Sequence, residues 1–449
     1  MVRARAVARD LRMIRIRVAT FALLTVLLLA LALRPAAAVE IERVKSPGGI
    51  EAWLVQEDTV PLIAMSFAFR DGGSSRDPAG KEGLANLMSG LLDEGAGKLD
   101  SATFQKTLEE KAINISFDAG RDGFFGTLQT LSANRDQAFD LLRLAITEPR
   151  FDDEAVERIR AQVISGIRSD ERDPDAIAGK LFAETLFPGH VYSRPSDGTE
   201  ASVTAIRKQD LKLFRKEAFG RDKLVIAVVG AIDAKTLGGL LDSTFGNLPK
   251  TAAPLEVGEV VPVSGAKASA TLAIPQTIIR FGGPGLKRDD PDFMAAYVMN
   301  HILGGGTFSS RLYQEIREKR GLTYGVGTYL TPYDHAGLFV GGLGTSAEKA
   351  DEAIALIRAE LKRMAEEGPT EAELADAKAY LTGSYALRFD TSSKIARQLL
   401  AIQVDRLGIN YVETRNDQIN AVTLDQVKAA AKRILDAGEP TIVTVGPKA

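Results

Sequence analysis

Apolar residues recur along this chain at two spacings, one of strands and one of helices. Ile50 to Leu54 and Leu62 to Arg70 read as strands between Gly and Asp turns, as do Ile113 to Phe117 and Gly123 to Leu131. Helical periodicity runs over Gly80 to Leu92, Arg135 to Ile146, Asp152 to Ser169, Asp175 to Leu186 and Val203 to Phe219. Ser101 to Lys111 is amphipathic and follows an Asp-Ser cap signal. Leu224 to Val229 is continuously apolar, a buried strand ending at Gly230.

From Leu248 to about Ala270 the pattern lapses into Pro, Ala, Val and Gly, which reads as a linker. A second unit then opens with the strand Thr271 to Phe281, and it echoes the first. Phe151-Asp-Asp-Glu-Ala-Val-Glu-Arg-Ile-Arg begins a long helix, and Pro369-Thr-Glu-Ala-Glu-Leu-Ala-Asp-Ala-Lys begins one at the matching place. Helix and strand after Val203 are likewise matched after Ile419, with the strand Thr441 to Val445. Such a long-period duplication predicts two copies of one α+β fold, α/β-roll domains each with a mostly antiparallel sheet and helices packed on one face. The expected boundaries are a leader at 1–38, a first domain at 39–250, the linker at 251–270 and a second domain at 271–449.

Composition narrows the function. The 449 residues carry a net charge of -3, with no Cys and three His. Absence of Cys removes disulfides, thiolate metal sites and Cys nucleophiles. No basic, aromatic-interleaved run follows the N-terminus, which argues against nucleic acid. The N-terminus itself has the layout of a secretory signal: Arg3 to Arg17 is rich in Arg, Val18 to Leu33 is apolar, and Ala36-Ala37-Ala38 is a small-residue cleavage site. Cleavage there predicts a periplasmic or secreted chain of net charge about -9, since the leader carries seven Arg and one Asp. The alternative is an uncleaved anchor, because the apolar run approaches membrane-spanning length. No later stretch is apolar enough to span a bilayer.

The candidate chemistry lies in two segments. In the first unit, Arg70-Asp-Gly-Gly-Ser-Ser-Arg leads to Gly83-Leu-Ala-Asn-Leu-Met-Ser-Gly-Leu-Leu. In the second, Leu303-Gly-Gly-Gly-Thr-Phe-Ser-Ser-Arg-Leu-Tyr-Gln-Glu-Ile-Arg-Glu-Lys-Arg-Gly-Leu-Thr-Tyr-Gly-Val predicts a Ser-capped helix. Lys319 and Arg320 suit its last turn and Gly321 its C′ position. Leu322, Tyr324, Val326 and Leu330 would share one face of the following strand. Gly304, Gly305 and Gly306 form either a helix-entry turn or a loop that lets backbone approach a ligand. They lack the Lys-Ser/Thr of a phosphate loop. On spacing alone, Arg317 pairs with Glu315 or Glu318 and Tyr324 is a sheet residue. No His pair has helical ligand spacing, and no Gly-x-Ser-x-Gly occurs.

Both segments resemble the pitrilysin/insulinase-type metallopeptidase family. There, Gly-x-Ala precedes His-x-x-Glu-His on a zinc helix, and a Glu on a later helix is the third ligand. The resemblance puts Asn86 at the first His, Ser89 at the catalytic Glu, Gly90 at the second His and Gly166 at the third ligand. Asn is a poor zinc ligand, Gly has no side chain, and Ser is no general base unaided near neutral pH. The resemblance also implies that Arg317 and Tyr324 are the pair that binds the peptide backbone and polarises the scissile carbonyl. It therefore implies a non-catalytic subunit, without zinc of its own, paired as a heterodimer with a homologous zinc-bearing peptidase subunit acting on peptides. The rival readings are a scaffold or peptide-binding protein with no proteolytic role, and cleavage by this chain alone through an unforeseen site.

Overall fold

In the computed structural model, which describes residues 40–447, eleven strands form two sheets. The first takes β1 (Glu42–Lys45), β2 (Glu51–Gln56), β3 (Leu62–Arg70), β4 (Asn114–Ala119), β5 (Gly123–Leu131) and β6 (Leu224–Gly230), in the order β1-β2-β6-β3-β5-β4. The second takes β7 (Lys267–Thr271), β8 (Gln276–Pro284), β9 (Thr323–Tyr333), β10 (Ala336–Ser346) and β11 (Thr441–Gly446), in the order β7-β11-β8-β10-β9. Each sheet is antiparallel except for one parallel pair, β2 with β6 and β7 with β11. The expected leader at 1–38 lies outside the described residues. Residues 42–447 belong to one compact unit. Among the described residues no helix is long and apolar enough to cross a membrane.

Each sheet packs one face on its own half's helices. Ile63, Met65, Phe67 and Phe69 of β3 and Ile226 and Val228 of β6 lie in the first core. Ile279 and Phe281 of β8, Phe339 of β10 and Ile442 of β11 lie in the second. Of the helices, four matter to the site: α1 (Leu84–Ser89), α2 (Asp153–Asp170), α3 (Pro174–Leu186) and α4 (Ser392–Val404). The last two are exchanged between the halves. Helix α3 buries Phe182 and Leu186 against Leu338 and Val443, and Ala178 against Ile278 and Val445, on the outer face of the second sheet. Helix α4 packs on β3 and β6 of the first sheet, where Gln403 Nε2 donates to the Ile226 carbonyl at 2.9 Å. The residues of β3 and β6 that alternate with the core set include Ala64, Ser66, Ala68 and Ala227, all buried. Small side chains there let a helix approach closely. Coverage on both faces is why β3 and β6 read as continuous apolar runs.

Two predicted helices are interrupted. Over Gly80 to Leu92 only Leu84–Ser89 is α-helical. Gly80 and Gly83 have φ of 80° and 89°, and a β-carbon on Gly83 would stand 2.5 Å from the Asp197 carbonyl oxygen. Over Val203 to Phe219 the chain breaks at Ile206, which is extended, between helices Glu200–Ala205 and Lys208–Ala218. Asp210 accepts from the Arg207 N–H at 2.7 Å, starting the second helix. Buried Arg160 takes the carbonyls of Val203 and Ile206 that the break frees. The expected linker carries no regular element until Lys267, where β7 begins.

Candidate functional site

Helix α1 presents its apolar residues Leu84, Ala85, Leu87 and Met88 to the first core. Its start is fixed by buried Asp77, whose carboxyl accepts from the N–H groups of Gly83, Leu84 and Ala85 at 2.8, 3.1 and 3.0 Å. Burial pushes that carboxyl up to about 7, against the pull of those three bonds. The other side of α1 carries Asn86, Ser89 and the terminal Gly90. The Ser89 hydroxyl donates to the Asn86 carbonyl at 2.8 Å, so it is engaged within its own helix. A β-carbon on Gly90 would stand 3.0 Å from Ile159 Cγ2 of α2. Gly166, seven residues further along α2, falls on the same helical face as Ile159; it is exposed, with nothing within 4 Å of its β-carbon position. One carboxamide, one hydroxyl and two positions without side chains do not fit zinc, which takes imidazole, thiolate or carboxylate. Among the described residues no group of three His, Cys, Asp or Glu is placed to hold a metal.

The second segment builds a cavity of about 800 Å³. Arg317, Tyr324, Gly304 and Gly305 line it together; Gly306 does not, and neither do Asn86, Ser89, Gly90 or Gly166. Arg317 stands on a π-helical stretch, Tyr313–Glu318, in which the Lys319 N–H reaches the Gln314 carbonyl. Its guanidinium pairs with Glu318 and lies 5.4 Å from the Tyr313 ring centroid. The helix closes at Gly321, whose φ of 62° and N–H bond to the Arg317 carbonyl make it the C′ residue. Ser310 does not cap the helix by its side chain, since its hydroxyl donates back to the Thr307 carbonyl at 2.8 Å.

Tyr324 is 94% exposed, not on the core face with Val326 and Leu330. The cause is a β-bulge. Val326 pairs with Leu343 and Thr323 with Thr345, so Tyr324 and Gly325 together oppose Gly344. The Thr323 hydroxyl pins the bulge, contacting the carbonyls of Gly344 at 2.7 Å and Gly325 at 2.8 Å and accepting from the Gly325 N–H at 3.2 Å. Among the described residues no hydrogen bond joins Arg317 to Tyr324. The glycines have a packing reason of their own. A β-carbon on Gly304 would stand 2.5 Å from Thr328 Oγ1, one on Gly305 2.7 Å from Asn300 Nδ2, and one on Gly306 2.7 Å from the His301 carbonyl oxygen.

The three His are dispersed. His190 bonds the Gly258 carbonyl at 3.0 Å. His301 stacks on Tyr380, and its desolvation holds its pKa below the usual imidazole range. His335 lies 3.5 Å from Glu259. Cavity residues contributed by α3 and by Arg121 and Arg280 have no motif in the sequence. They are found only when the halves pack together.

Residues 68–199 match the model of insulinase (peptidase family M16), and residues 205–381 match that of the peptidase M16 inactive domain. Over 414 residues the chain is 29% identical to a Helicobacter pylori protein named non-peptidase homolog YmxG, covering 91% of this chain and 94% of that one. It is 26% identical to an uncharacterised zinc protease of Streptomyces coelicolor, covering 91% and 90%. A crystal structure of a peptidase M16 inactive domain from Pseudomonas fluorescens superposes with a TM-score of 0.86 at 30% identity, covering 91% of this chain and 98% of that one. With Asn86, Ser89, Gly90 and Gly166 offering no imidazole, thiolate or carboxylate, the chain belongs to peptidase family M16, the insulinase family, as a non-catalytic member.

Proposed function

We propose that this chain is the exported, non-catalytic subunit of a heterodimeric zinc metalloendopeptidase whose zinc is carried by a homologous partner. The observation that carries this reading is the contrast between the two segments. Four positions on α1 and α2 offer nothing to a metal, while Arg317 and Tyr324 open together onto a cavity of about 800 Å³. The Tyr324 phenol is 94% exposed and its hydroxyl makes no hydrogen bond among the described residues, so its use is sought in substrate. Arg317 supplies a fixed cation and Tyr324 a neutral donor, a combination suited to a peptide carbonyl whose oxygen gains charge during attack. Export is supported by the Arg-rich start, the Val18 to Leu33 run and the Ala36-Ala37-Ala38 site.

The test is peptide hydrolysis by this chain co-purified with a zinc-bearing M16 chain from the same cell. Arg317→Ala or Tyr324→Phe is expected to lower kcat by about a hundredfold. Unchanged turnover in both variants would leave the scaffold reading in its place. N-terminal sequencing of the exported chain should begin at Val39; an intact Arg-rich start would show retention as an anchor.

A further inference from the structure

The cavity has a charge of its own. Arg121, Arg280 and Arg317 line it, and among the described residues no Asp, Glu or Lys does, in a chain that is net acidic. Its remaining walls are largely apolar and aromatic, with Phe182, Phe187, Tyr329 and Tyr333 among them. Arg121 donates to the Arg194 carbonyl at 2.6 Å and makes no ion pair among the described residues. Cations on low-dielectric walls raise the local concentration of anions.

The floor explains how one of these cations is presented. On a single rung of the second sheet, Arg280 of β8 pairs with Gly342 of β10, and Gly342 pairs with Gly327 of the edge strand β9. Two adjacent positions without side chains leave a trough running to the sheet edge. The Arg280 side chain lies in it, with Nη1 2.7 Å and Cδ 3.1 Å from where a β-carbon on Gly342 would stand. At the far end, the Tyr329 hydroxyl is 3.4 Å from the same point on Gly327. Asp175 takes Nη2 at 2.8 Å, in a pair whose carboxylate is 60% exposed. Such an exposed pair is weakly held. Nη1 makes no hydrogen bond among the described residues.

We propose that this cavity selects extended peptide segments that carry a carboxylate beside a bulky apolar side chain. The carboxylate is taken by Arg280 in the Gly342–Gly327 trough, with Arg121 adding to the field and Arg317 adding less, because Glu318 pairs with it. The apolar group packs among the aromatic walls. The inference rests on the peptidase-subunit reading for peptide as the ligand class and adds which peptides are chosen.

The test is fluorescence anisotropy on the isolated full chain, without partner or hydrolysis. Labelled, C-terminally amidated hexapeptides differ only in Glu, Gln or Lys beside a Phe; a fourth has Gln and a free C-terminal carboxylate. The Glu peptide is expected to bind roughly tenfold more tightly than the Gln peptide, with Lys weakest. The fourth peptide tells whether a terminal carboxylate serves as well as a side chain. Arg280→Gln should erase the preference, and Gly342→Val should do so by filling the trough. If Gly342→Val fails to fold, Arg280→Gln decides. Equal affinity for Glu, Gln and Lys peptides, or a preference that survives Arg280→Gln, overturns the inference. That outcome leaves Arg317-dependent hydrolysis by the paired enzyme standing. Loss of that hydrolytic dependence would sink the subunit reading and leave the carboxylate preference.

Discussion

Ile159 of α2 stands against Gly90 of α1, its Cγ2 3.0 Å from where a β-carbon on Gly90 would be. The space that a metal-binding imidazole would enter is therefore occupied by a buried methyl group. Gly90→His should destabilise the chain by about 1–3 kcal/mol through overpacking. Ile159→Ala should recover part of that loss. A double-mutant cycle by urea denaturation reads the coupling; strictly additive effects would show that the two side chains do not compete. For the same reason, the combination Asn86→His, Ser89→Glu, Gly90→His and Gly166→Glu should bind zinc better with Ile159 trimmed than with it intact, as measured by metal content after dialysis.

The bulge held by Thr323 aims Tyr324 outward. Thr323→Val keeps the shape and removes the hydroxyl, leaving the Gly344 carbonyl without that donor, at a cost of about 1–2 kcal/mol. In the paired peptidase assay it should lower kcat more than it raises KM, because it moves the group proposed to act in the transition state. Thr323→Ser should restore turnover. Full activity in Thr323→Val would show that the bulge does not position Tyr324.

Two tyrosines separate stability from function. Tyr192 is fully buried; its hydroxyl donates to Asp122 at 2.8 Å and accepts from the His335 N–H at 3.2 Å. The other Asp122 oxygen accepts from the Asp334 N–H at 3.1 Å. Burial and the Asp122 charge raise the Tyr192 pKa well above the usual phenol range, so it stays a neutral donor. Tyr192→Phe strands both partners and should cost about 1–3 kcal/mol. Tyr324→Phe should change stability by less than about 0.5 kcal/mol. Thermal denaturation of the two variants side by side measures the contrast.

Acid should loosen the segment that carries Arg317. Arg311 reaches Glu373 through Nε at 2.6 Å and Nη2 at 2.7 Å, and these bonds hold the Glu373 carboxyl down at about 2, against 4.5 for the free group. A depressed carboxyl stabilises the fold fully above the unfolded value and loses that contribution as pH falls through the folded one. The stability difference between wild type and Glu373→Gln should thus be full at pH 7 and shrink as pH falls from about 4.5 toward 2. Urea midpoints across that range test it; a difference that stays constant would mean the pair contributes no charge-dependent stability.

Strands β1 and β10 went unread and β7 fell largely within the expected linker, but the sequence made legible the other strands, their mostly antiparallel class, the duplication and the membership of the family. These rest on local periodicity and on side-chain identity, which a chain carries wherever it folds. It also determined that Asn86, Ser89, Gly90 and Gly166 bring no zinc ligand of ordinary strength. Tertiary structure alone decided the rest. Strand parity placed Tyr324 toward the core, and a bulge set by the partner strand reversed it. Helicity over Gly80 to Leu92 was cut short by contacts with Asp77 and Asp197, six and more than a hundred residues away from Gly83. The exchange of α3 and α4, and the rung that joins Arg280 to two glycines, depend on which face and register meet across the fold. Periodicity within one segment holds no record of the surface it will be packed against.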